Sequence, residues 1–488
     1  MVSIFKKEVP LLIFLFLISS LIRFKINFST EYFPGNNGAY YLLLNKDLLE
    51  TGTFHYRDFP LLFYLQSFFA FILIKINLLN FNQVIDLVSR TFDSFVPTLS
   101  IIPAYLLSKK IIKDNKFQSL VIASIAIFHF SFFTLISDFQ KNSLGILWLF
   151  WLMYFLFKIN EKFSYKNLGY TFLFFVLVGL THFGCFGVAI LIVMINLLFI
   201  GLTKLTTKKI YKFLIVTFLL VIFSFGLVYL INPFRLYSLI EIIEKSFSKP
   251  IILMIIKNEP ILPSNEILEI TLTNILSIAV LILLTKEKNI QNRNYFFTIS
   301  IAALIIASPF LNYKIAQRLY FISYITIIPL FSFLIKYAKV RLTKNLVVYF
   351  SLVIILSSGI LNIYRPVFSN MNKQLYADLI NLKSKVSFND KSIIISRHGL
   401  EYWLMWILKV NAIRKDEVTE DYRRWYKDIY IIRQKKLKPP FGPAGINGLP
   451  FQEPSITKNT KLIFTSDYFD LYKVLSMPKD FSTFKERL

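Results

Sequence analysis

The chain has 488 residues, of which 55% are apolar and 17% aromatic, and its mean hydropathy is +0.56. This composition excludes an ordinary soluble domain and indicates a protein with several membrane-spanning helices. The formal net charge of +26 would suggest nucleic acid as a partner in a soluble protein. Here the lysines lie in short loops between apolar runs, so we interpret them as topology determinants and predict no nucleic-acid binding. Cys185 is the sole cysteine, which excludes a disulfide within the chain and a cysteine-based metal cluster.

Apolar runs recur along the chain, and we interpret eleven of them as helices that cross the roughly 30 Å of bilayer hydrocarbon. They lie near residues 9–24, 86–108, 118–136, 142–158, 168–181, 184–203, 213–231, 266–285, 295–311, 318–335 and 344–363. The first run is not followed by a small-x-small cleavage site and continues into the next loop. It therefore predicts an uncleaved anchor, not a signal peptide.

Lysine and arginine mark alternate connections between these runs. The basic residues are Lys6 and Lys7; Lys109, Lys110, Lys113 and Lys116; Lys158, Lys162 and Lys166; Lys204, Lys208, Lys209 and Lys212; Lys286, Lys288 and Arg293; Lys336, Lys339, Arg341 and Lys344. The positive-inside rule predicts that they face the cytoplasm from the cytoplasmic (inner) membrane. The alternation holds only if the apolar run Pro60–Leu79 does not cross. We therefore predict a peripheral helix on the outer surface, with Gln66 and Lys75 turned toward the interface.

The composition changes from about Arg365, where the apolar runs give way to shorter elements. Short β-like runs are predicted at Ser392–Ser396, Asp428–Ile432, Lys461–Thr465 and Tyr468–Val474. One helix is predicted at Leu400–Leu408. A Pro/Gly-rich loop spans residues 438–450. The sequence thus predicts an all-α polytopic membrane domain at 1–364, followed by a small soluble α/β domain at 365–488 on the outer side.

The first 110 residues carry the most specific pattern. An apolar helix leads to Glu31, then to GNNGAYYLLLNKDLLETG at 35–52, and then to RDFPLLFYLQ at 57–66. This order resembles the opening of membrane glycosyltransferases with the C-type (GT-C) fold, such as protein O-mannosyltransferases and lipid A aminoarabinose transferases. In that family the first outer loop has an acidic motif, then a Tyr-bearing helix closed by Gly, then a Pro-Leu-aromatic segment. The resemblance implies a GT-C fold, with residues 26–85 as an outer loop containing juxtamembrane helices.

The same resemblance implies a reaction. It predicts an inverting glycosyltransferase that moves a sugar from a polyprenyl (di)phosphate donor to an acceptor on the outer face of the membrane. Such an acceptor must lose a proton as it attacks the anomeric carbon, so a carboxylate is needed as general base. Membrane lipid is a second partner, and the acceptor (lipid, glycan or protein) stays open.

Three carboxylates are candidates for the catalytic acids. Asp138 begins a helix directly after an outer loop; it could simply cap that helix, but its position is similar to the second acid of the family. Glu31 follows the first span, where the family has its principal acid. Alignment on Tyr40 and LLETG instead puts the family's acidic pair on Asn36 and Asn37, which cannot act as bases. Either Glu31 or Asp58 must then supply the carboxylate, and a solvated loop charge is the alternative for each.

Other polar residues gather in the same predicted outer loops, where ionisable groups are costly and suggest pairing or function. Arg318, at the outer start of a span, and Arg57 are candidates to bind the donor phosphate, because arginine can bind phosphate oxygens in bidentate fashion. The alternative for Arg318 is a snorkelling interfacial side chain. Asn36, Asn37, Tyr40 and His182 are candidates to line the cavity.

Two further expectations concern pairing and metals. Arg90 and Asp93, three residues apart on one predicted helix, are expected to pair with each other. No HxxxH, DxD or CxxC motif occurs among the candidate residues, so a divalent metal ion is possible but no motif supports one. No cofactor is predicted with certainty.

Other classes of function stay open at this point. A secondary transporter or a lipid-linked glycan flippase is the first alternative, although transporters commonly have duplicated halves with Gly/Pro-broken helices. This chain has only 15 glycines, and its charges gather on one predicted face. A polysaccharide polymerase or ligase is the second alternative, although the loop at 232–264 carries one arginine and no histidine. A non-catalytic membrane scaffold is the third.

Overall fold

The computed structural model of the chain describes residues 8–54, 56–77, 79–113, 115–204, 207–236, 244–245, 247–256, 264–287, 290–364, 367–415, 418, 425–435, 453–454, 456 and 459–475. The basic residues Lys6, Lys7 and Lys288 and the predicted Pro/Gly-rich loop at 438–450 lie outside these ranges.

The chain divides into two compact units. The membrane unit comprises Met1–Lys25, Tyr56–Leu65 and Thr91–Arg365. The sheet unit comprises Ile26–His55, Gln66–Arg90 and Pro366–Leu488. Segments of the predicted first outer loop therefore belong to the same compact unit as the C-terminal segment. The functional division into residues 1–364 and 365–488 stays a prediction.

Helices make up most of the described residues. They are α1 (Val9–Asn27), α2 (Gly38–Thr51), α3 (Leu61–Ile76), α4 (Phe81–Phe95), α5 (Ile101–Ile112), α6 (Lys116–Phe128), α7 (Phe130–Thr134), α8 (Gln140–Glu161), α9 (Tyr165–Thr181), α10 (Phe183–Lys204), α11 (Thr207–Ile231), α12 (Ile251–Ile256), α13 (Ser264–Lys286), α14 (Arg293–Ile306), α15 (Tyr313–Ser323), α16 (Ile327–Tyr337), α17 (Arg341–Ile363), α18 (Lys373–Lys385) and α19 (Leu400–Leu408). Short 3₁₀ turns at Pro97–Ser100 and Tyr324–Thr326 join α4 to α5 and α15 to α16.

Eight helical segments of the described residues are long and apolar enough to cross a membrane. They are Val9–Asn27, Phe81–Ile112, Lys116–Thr134, Gln140–Glu161, Phe183–Gly201, Ile267–Lys286, Arg318–Tyr337 and Arg341–Ile363. Leu61–Ile76, Phe218–Ile231 and Arg293–Ile306 are shorter apolar helices. The chain is thus an integral multi-pass membrane protein, and the count of eleven spans stays a prediction.

A buried ion pair holds the start of the membrane unit together. The Arg23 guanidinium, with no exposed surface, donates from Nη2 to Asp93 Oδ1 at 2.8 Å and from Nη1 to the Phe132 carbonyl at 2.8 Å. The predicted Arg90–Asp93 pair is therefore wrong. Asp93 is turned toward Arg23 on α1, whereas Arg90 pairs with Asp86 at 2.9 Å, one helical turn before it.

The buried polar side chains of the sheet unit also correct the prediction for α3. Asn45 Nδ2 donates to Gln66 Oε1 at 2.7 Å and to Ser89 Oγ at 3.0 Å, and Gln66 is fully buried. The expectation that Gln66 faces the membrane interface is wrong, because its amide completes this network. The exposed side of α3 carries large apolar residues such as Phe68 and Phe71. A peripheral position for α3 is consistent with that face and stays a prediction.

The C-terminal part of the sheet unit is a five-stranded mixed sheet. Its strands are β1 (Ser392–Ser396), β2 (Asn411–Arg414), β3 (Asp428–Gln434), β4 (Thr460–Thr465) and β5 (Phe469–Val474), in the order β2-β1-β3-β5-β4. Strands β2 and β3 run parallel to β1, while β5 is antiparallel to β3 and β4. Helix α19 lies between β1 and β2 in the sequence and forms the crossover connection between these parallel strands. The predicted α/β character is confirmed.

Candidate active site

The membrane unit holds Asp58 in contact with a lysine. Asp58 lies two residues before Pro60, which precedes α3, and the Phe59 N–H donates to its Oδ1 at 2.7 Å. Its Oδ2 accepts a hydrogen bond from Lys141 Nζ, and the side chains of the pair are only 9% and 11% exposed. Lys141 also lies above the Phe63 ring. The carboxylate is thus fixed by one backbone donor and one ammonium group.

Lys141 is an unusual residue for its position. It is the second residue of α8, where the helix dipole favours anions, and no other charged side chain lies between it and Lys158 on that helix. Burying either charge alone would cost several kcal/mol, so each stabilises the other. Lys141 was not among the residues predicted from sequence. A charged side chain within the first turn of a membrane helix is the signal that could have identified it.

Arg235 adds a second cation to this group. It follows α11, and its charge acts on both Asp58 and Lys141. Asn232, at the end of the same helix, donates from Nδ2 to the Arg57 carbonyl at 2.7 Å. Burial opposes ionisation of Asp58, but Lys141, the Phe59 N–H and Arg235 together hold the pKa of this carboxyl below its usual value. Asp58 is therefore an anion at neutral pH.

His182 lies in the single-residue break between α9 and α10. The Cys185 N–H donates to its Nδ1 at 3.2 Å, so this nitrogen carries no proton. Burial lowers the pKa of His182 to about 3, and the positive charges of Lys141, Arg235 and Arg318 act in the same direction. His182 is thus a neutral imidazole near these cations, and its role in lining the cavity stays a prediction.

The two arginines predicted to bind phosphate are both exposed. Arg318 lies midway along α15, and its charge reaches His182. Arg57 contributes its backbone carbonyl to the contact with Asn232. Exposed guanidinium groups are accessible to a charged ligand. Binding of phosphate by either arginine stays a prediction.

Asp138 lies in the tight turn that precedes α8. It is 6% exposed, its N–H donates to the Ile136 carbonyl at 2.7 Å, and Ser137 before it has a φ of +67°. The helix begins at Gln140 with Phe139 at the N-cap position, so Asp138 lies one residue before the cap, and the capping alternative stays a prediction. The Ser137 N–H donates to Asp93 Oδ2 at 3.0 Å, which ties this turn to the Arg23–Asp93 ion pair. A catalytic role for Asp138 stays a prediction.

The remaining candidates belong to the sheet unit. Glu31 is exposed, and its backbone carbonyl accepts a hydrogen bond from Arg90 Nη2 at 3.1 Å. Asn36 is buried, whereas Asn37 is the N-cap residue of α2 without a side-chain capping bond. The Tyr40 ring meets the Tyr402 ring of α19 at 5.2 Å. These four residues stay predicted site residues.

A close backbone contact joins the first loop to the C-terminal segment within the sheet unit. Gly35 N–H donates to the Phe368 carbonyl at 2.9 Å. Gly399 has a φ of +85°, and a Cβ there would lie 2.4 Å from Asn370 Nδ2 and 2.9 Å from the Asn36 carbonyl oxygen. Glycine is therefore required at 399 both by conformation and by space. The GNNG segment thus packs against the start of α19.

The donor set around Asp58 does not suit a divalent cation. Such ions prefer several oxygen ligands, or imidazoles with an open coordination position. Asp58 is one carboxylate whose charge is already balanced by Lys141, with Arg235 as a further cation. Within the ranges that the structure describes, no three His, Cys, Asp or Glu side chains are grouped as metal ligands would be. We therefore derive no step through a metal ion.

Solved structures that are similar to this chain include two membrane transferases. An oligosaccharyltransferase from Archaeoglobus fulgidus, solved in complex with Zn and sulfate, aligns with a TM-score of 0.53 at 13% identity over 86% of this chain and 67% of its own. ArnT from Cupriavidus metallidurans, solved with undecaprenyl phosphate bound, aligns with a TM-score of 0.51 at 10% identity over 96% of this chain and 99% of its own. The chain has the GT-C fold.

The predicted GT-C fold is therefore confirmed over nearly the whole length of the chain. At these identities the likeness establishes the fold alone. No protein-family model matches the sequence, and no curated protein matches it either.

Proposed function

We propose that this chain is a membrane glycosyltransferase that transfers a sugar from a polyprenyl (di)phosphate donor to an acceptor. The observation that carries the proposal is the buried Asp58–Lys141 pair beside Arg235, in a chain with the GT-C fold. The undecaprenyl phosphate bound to ArnT supports a polyprenyl-linked donor. Neither comparison supports a transporter, a flippase, or a polysaccharide polymerase or ligase.

The cations account for binding of the donor. A polyprenyl phosphate keeps its tail in lipid, so its phosphate needs positive charge near the end of the membrane helices. Lys141, at the start of α8, and Arg235, just after α11, supply two such charges, and Arg318 supplies a third. When the phosphate arrives it competes with Asp58 for Lys141, because both anions favour the same ammonium group. Donor binding would then free the Asp58 carboxylate.

The freed carboxylate accounts for the chemistry. The acceptor oxygen or nitrogen attacks the anomeric carbon, and its proton passes to the Asp58 carboxylate. The bond from the anomeric carbon to the phosphate oxygen breaks, and its electron pair stays on the phosphate, where Lys141 and Arg235 stabilise it. A general base of this kind contributes roughly 100- to 10,000-fold in rate. We propose a single displacement, which inverts the anomeric centre.

The orientation is part of the same proposal. The basic connections between the apolar runs support a cytoplasmic location for those loops in the inner membrane. Asp58, His182 and Arg318 would then lie at the outer face, where the acceptor is met. The acceptor and the sugar are left open.

The test uses the purified full-length protein in liposomes. Polyprenyl-phosphate-linked sugars are supplied together with a membrane extract of the source organism as acceptor, and release of free polyprenyl phosphate is measured by mass spectrometry. Lys141→Gln removes the buried cation, and we expect a loss of about 100-fold in this rate, since the leaving phosphate and Asp58 both lose their partner.

Lys158→Gln is the matched control, because it makes the same change near the opposite end of the same helix. We expect it to keep the wild-type rate. The proposal is wrong if the wild type neither consumes nor binds any polyprenyl-linked donor, or if Lys141→Gln behaves like Lys158→Gln.

A further inference from the structure

The membrane unit contains a further buried carboxylate, outside the group of Asp58, Lys141 and Arg235. Glu269 is the sixth residue of α13 and is only 9% exposed. An ionisable side chain inside a membrane helix is costly, and it is found mostly where it is paired or functional. The proposed transfer reaction gives Glu269 no direct part. Its retention therefore needs a separate explanation.

The two oxygens of Glu269 bind two different helices. Ser131 Oγ of α7 donates to Oε2 at 3.0 Å. Ser323 is the last residue of α15, and its Oγ donates to Oε1 at 2.9 Å. Hydrogen bonds to a charged acceptor are stronger than those between neutral groups. Glu269 thus links α7, α13 and α15 through one carboxylate.

A histidine completes the group. His129 lies between α6 and α7, and its Nδ1 accepts a hydrogen bond from the Ser131 N–H at 3.2 Å. A neutral ring must then carry its proton on Nε2, which lies 3.8 Å from Glu269 Oε2. The ring also stacks on Tyr324 at 4.7 Å with the planes nearly parallel. His129 is therefore held with its N–H toward the carboxylate.

Both helices tied by Glu269 lead to candidate site residues. Ser323 lies five residues after Arg318 on α15, which is about 7.5 Å along the axis of one short helix. Helix α7 runs directly into the turn that carries Asp138. A single anchor therefore fixes the element that presents Arg318 and the element that precedes Asp138. An apolar residue at 269 could fill the space but could not set these two positions.

We propose that Glu269 is a positioning residue for the transfer site. Through Ser323 it holds Arg318 where the donor phosphate is bound, and through Ser131 it holds the turn of Asp138. This inference rests on the proposed function for its consequence in catalysis, but the anchoring itself can be measured without activity.

The serine variants give the sharpest test, because each removes a single hydroxyl from the Glu269 group. Ser323 Oγ also lies 2.9 Å from the Tyr320 carbonyl oxygen, so Ser323→Ala removes that local contact as well. Ser323→Ala should raise the KM for the polyprenyl-linked donor about fivefold and leave kcat within about twofold, since donor binding depends on Arg318. Ser332→Ala is the matched control. Ser332 is a fully buried serine of α16 that is hydrogen-bonded to Ser108 at 3.1 Å, and its loss should leave both constants unchanged.

A double-mutant cycle separates positioning from general loosening. If Ser323 acts through Arg318, then Ser323→Ala should change the KM less than twofold once Arg318→Ala is present. A full fivefold effect in that background would overturn the proposal. So would an unchanged KM in Arg318→Ala, because Arg318 would then have no donor to hold.

Hydrogen exchange gives the readout that needs no substrate. Amides of α15 should exchange about tenfold faster in Ser323→Ala and in Glu269→Gln, and keep wild-type protection in Ser332→Ala. Unchanged protection of α15 would overturn the proposal. Faster exchange in a protein that neither binds nor consumes a polyprenyl donor would instead reject the proposed function and leave the anchor in place.

Discussion

Two regions of the molecule carry a carboxylate that the sequence marks as the catalytic base, and they differ in burial and in charge balance. Asp58, in the membrane unit, is buried against Lys141 with Arg235 nearby. Glu31, in the sheet unit, is exposed. Its backbone carbonyl accepts a hydrogen bond from Arg90. Sequence position alone gave these residues equal standing.

The free-energy cost of burying a charge is a better indicator of function than sequence position is. A charge in water costs nothing to keep, so an exposed Glu31 needs no explanation beyond solubility. A buried anion held by a buried cation costs several kcal/mol for each ion before they pair, and apolar residues would often be as stable. The membrane unit keeps this expensive pair next to further cations. We therefore favour Asp58 over Glu31 as the base.

One pair of variants tests which of the two carboxylates is the general base. Asp58→Asn removes the base and the charge while nearly preserving shape, so we expect the transfer rate to fall by about 100-fold or more. Glu31→Gln makes the equivalent change at the exposed site and should keep the rate within about twofold. Initial rates at saturating donor measure both. The opposite order of effects would return the catalytic role to the first loop of the sheet unit.

Asp138 is another buried carboxylate of the membrane unit that the sequence marks as catalytic. Its turn is fixed through Ser137 and Asp93, so Asp138→Asn should fold normally. We expect a loss of about 30-fold in rate if the carboxylate faces the reacting groups. Thermal melting serves as the folding control. A wild-type rate in a correctly folded variant would remove Asp138 from the site.

Arg318 tests whether an exposed cation shares the role of the buried ones. Lysine keeps the charge but loses the planar fork, so Arg318→Lys should raise the donor KM about threefold and Arg318→Ala about tenfold. A side chain that merely snorkels would tolerate lysine, because both stems reach the interface. Rate against donor concentration for the three proteins decides between these roles. Three identical curves would assign Arg318 to anchoring alone.

Glu8 is a buried and paired carboxylate to which the proposed reaction gives no part. It accepts hydrogen bonds from the Tyr105 hydroxyl at 2.6 Å and from Lys109 Nζ at 2.7 Å, before the first apolar helix. Burial raises the pKa of Glu8, but the bonds from Lys109, Lys116 and Tyr105 outweigh it and lower the pKa to about 2. The resulting stabilisation is complete above the ordinary pKa near 4.5 and is lost as the pH falls through about 2.

The expected effect of Glu8→Gln is the smallest in this set. Its melting temperature should lie below that of the wild type at pH 7, and the difference should shrink progressively below pH 4.5. The transfer rate at pH 7 should not change. A difference that grows as the pH falls would mean that the carboxylate is destabilising, contrary to its contacts.

Much of the fold could be predicted from sequence, because apolar runs and strand patterns are local signals. Strand β1 and helix α19 have the predicted bounds, since Ser392–Ser396 contains three consecutive β-branched isoleucines and Leu400–Leu408 is a compact apolar helix. Strand β2 was missed because Asn411–Arg414 is only four residues long and is defined by its pairing with β1. Helix α18 was missed because its apolar face is narrow and its mean character is polar.

The site was only partly predictable, because its partners come from distant parts of the chain. Asp58 was a candidate, but nothing local links it to Lys141, which is 83 residues away. Arg90 and Asp93 have the spacing of a helical pair, yet Asp93 binds Arg23 because tertiary packing decides which charge is nearest. Arg235 was counted only as the one arginine of its loop. Charge pairing across a membrane fold cannot be read from spacing alone.

The role of the Asp58–Lys141 pair depends on where the donor phosphate binds, which a structure of the protein with a bound polyprenyl phosphate would reveal. We predict phosphate oxygens within hydrogen-bonding distance, about 2.7–3.2 Å, of Lys141 Nζ or the Arg235 guanidinium. The Asp58–Lys141 contact should lengthen in the same structure, which would free the carboxylate. A phosphate bound elsewhere, with the Asp58–Lys141 pair intact, would contradict the assignment of this pair to the transfer reaction.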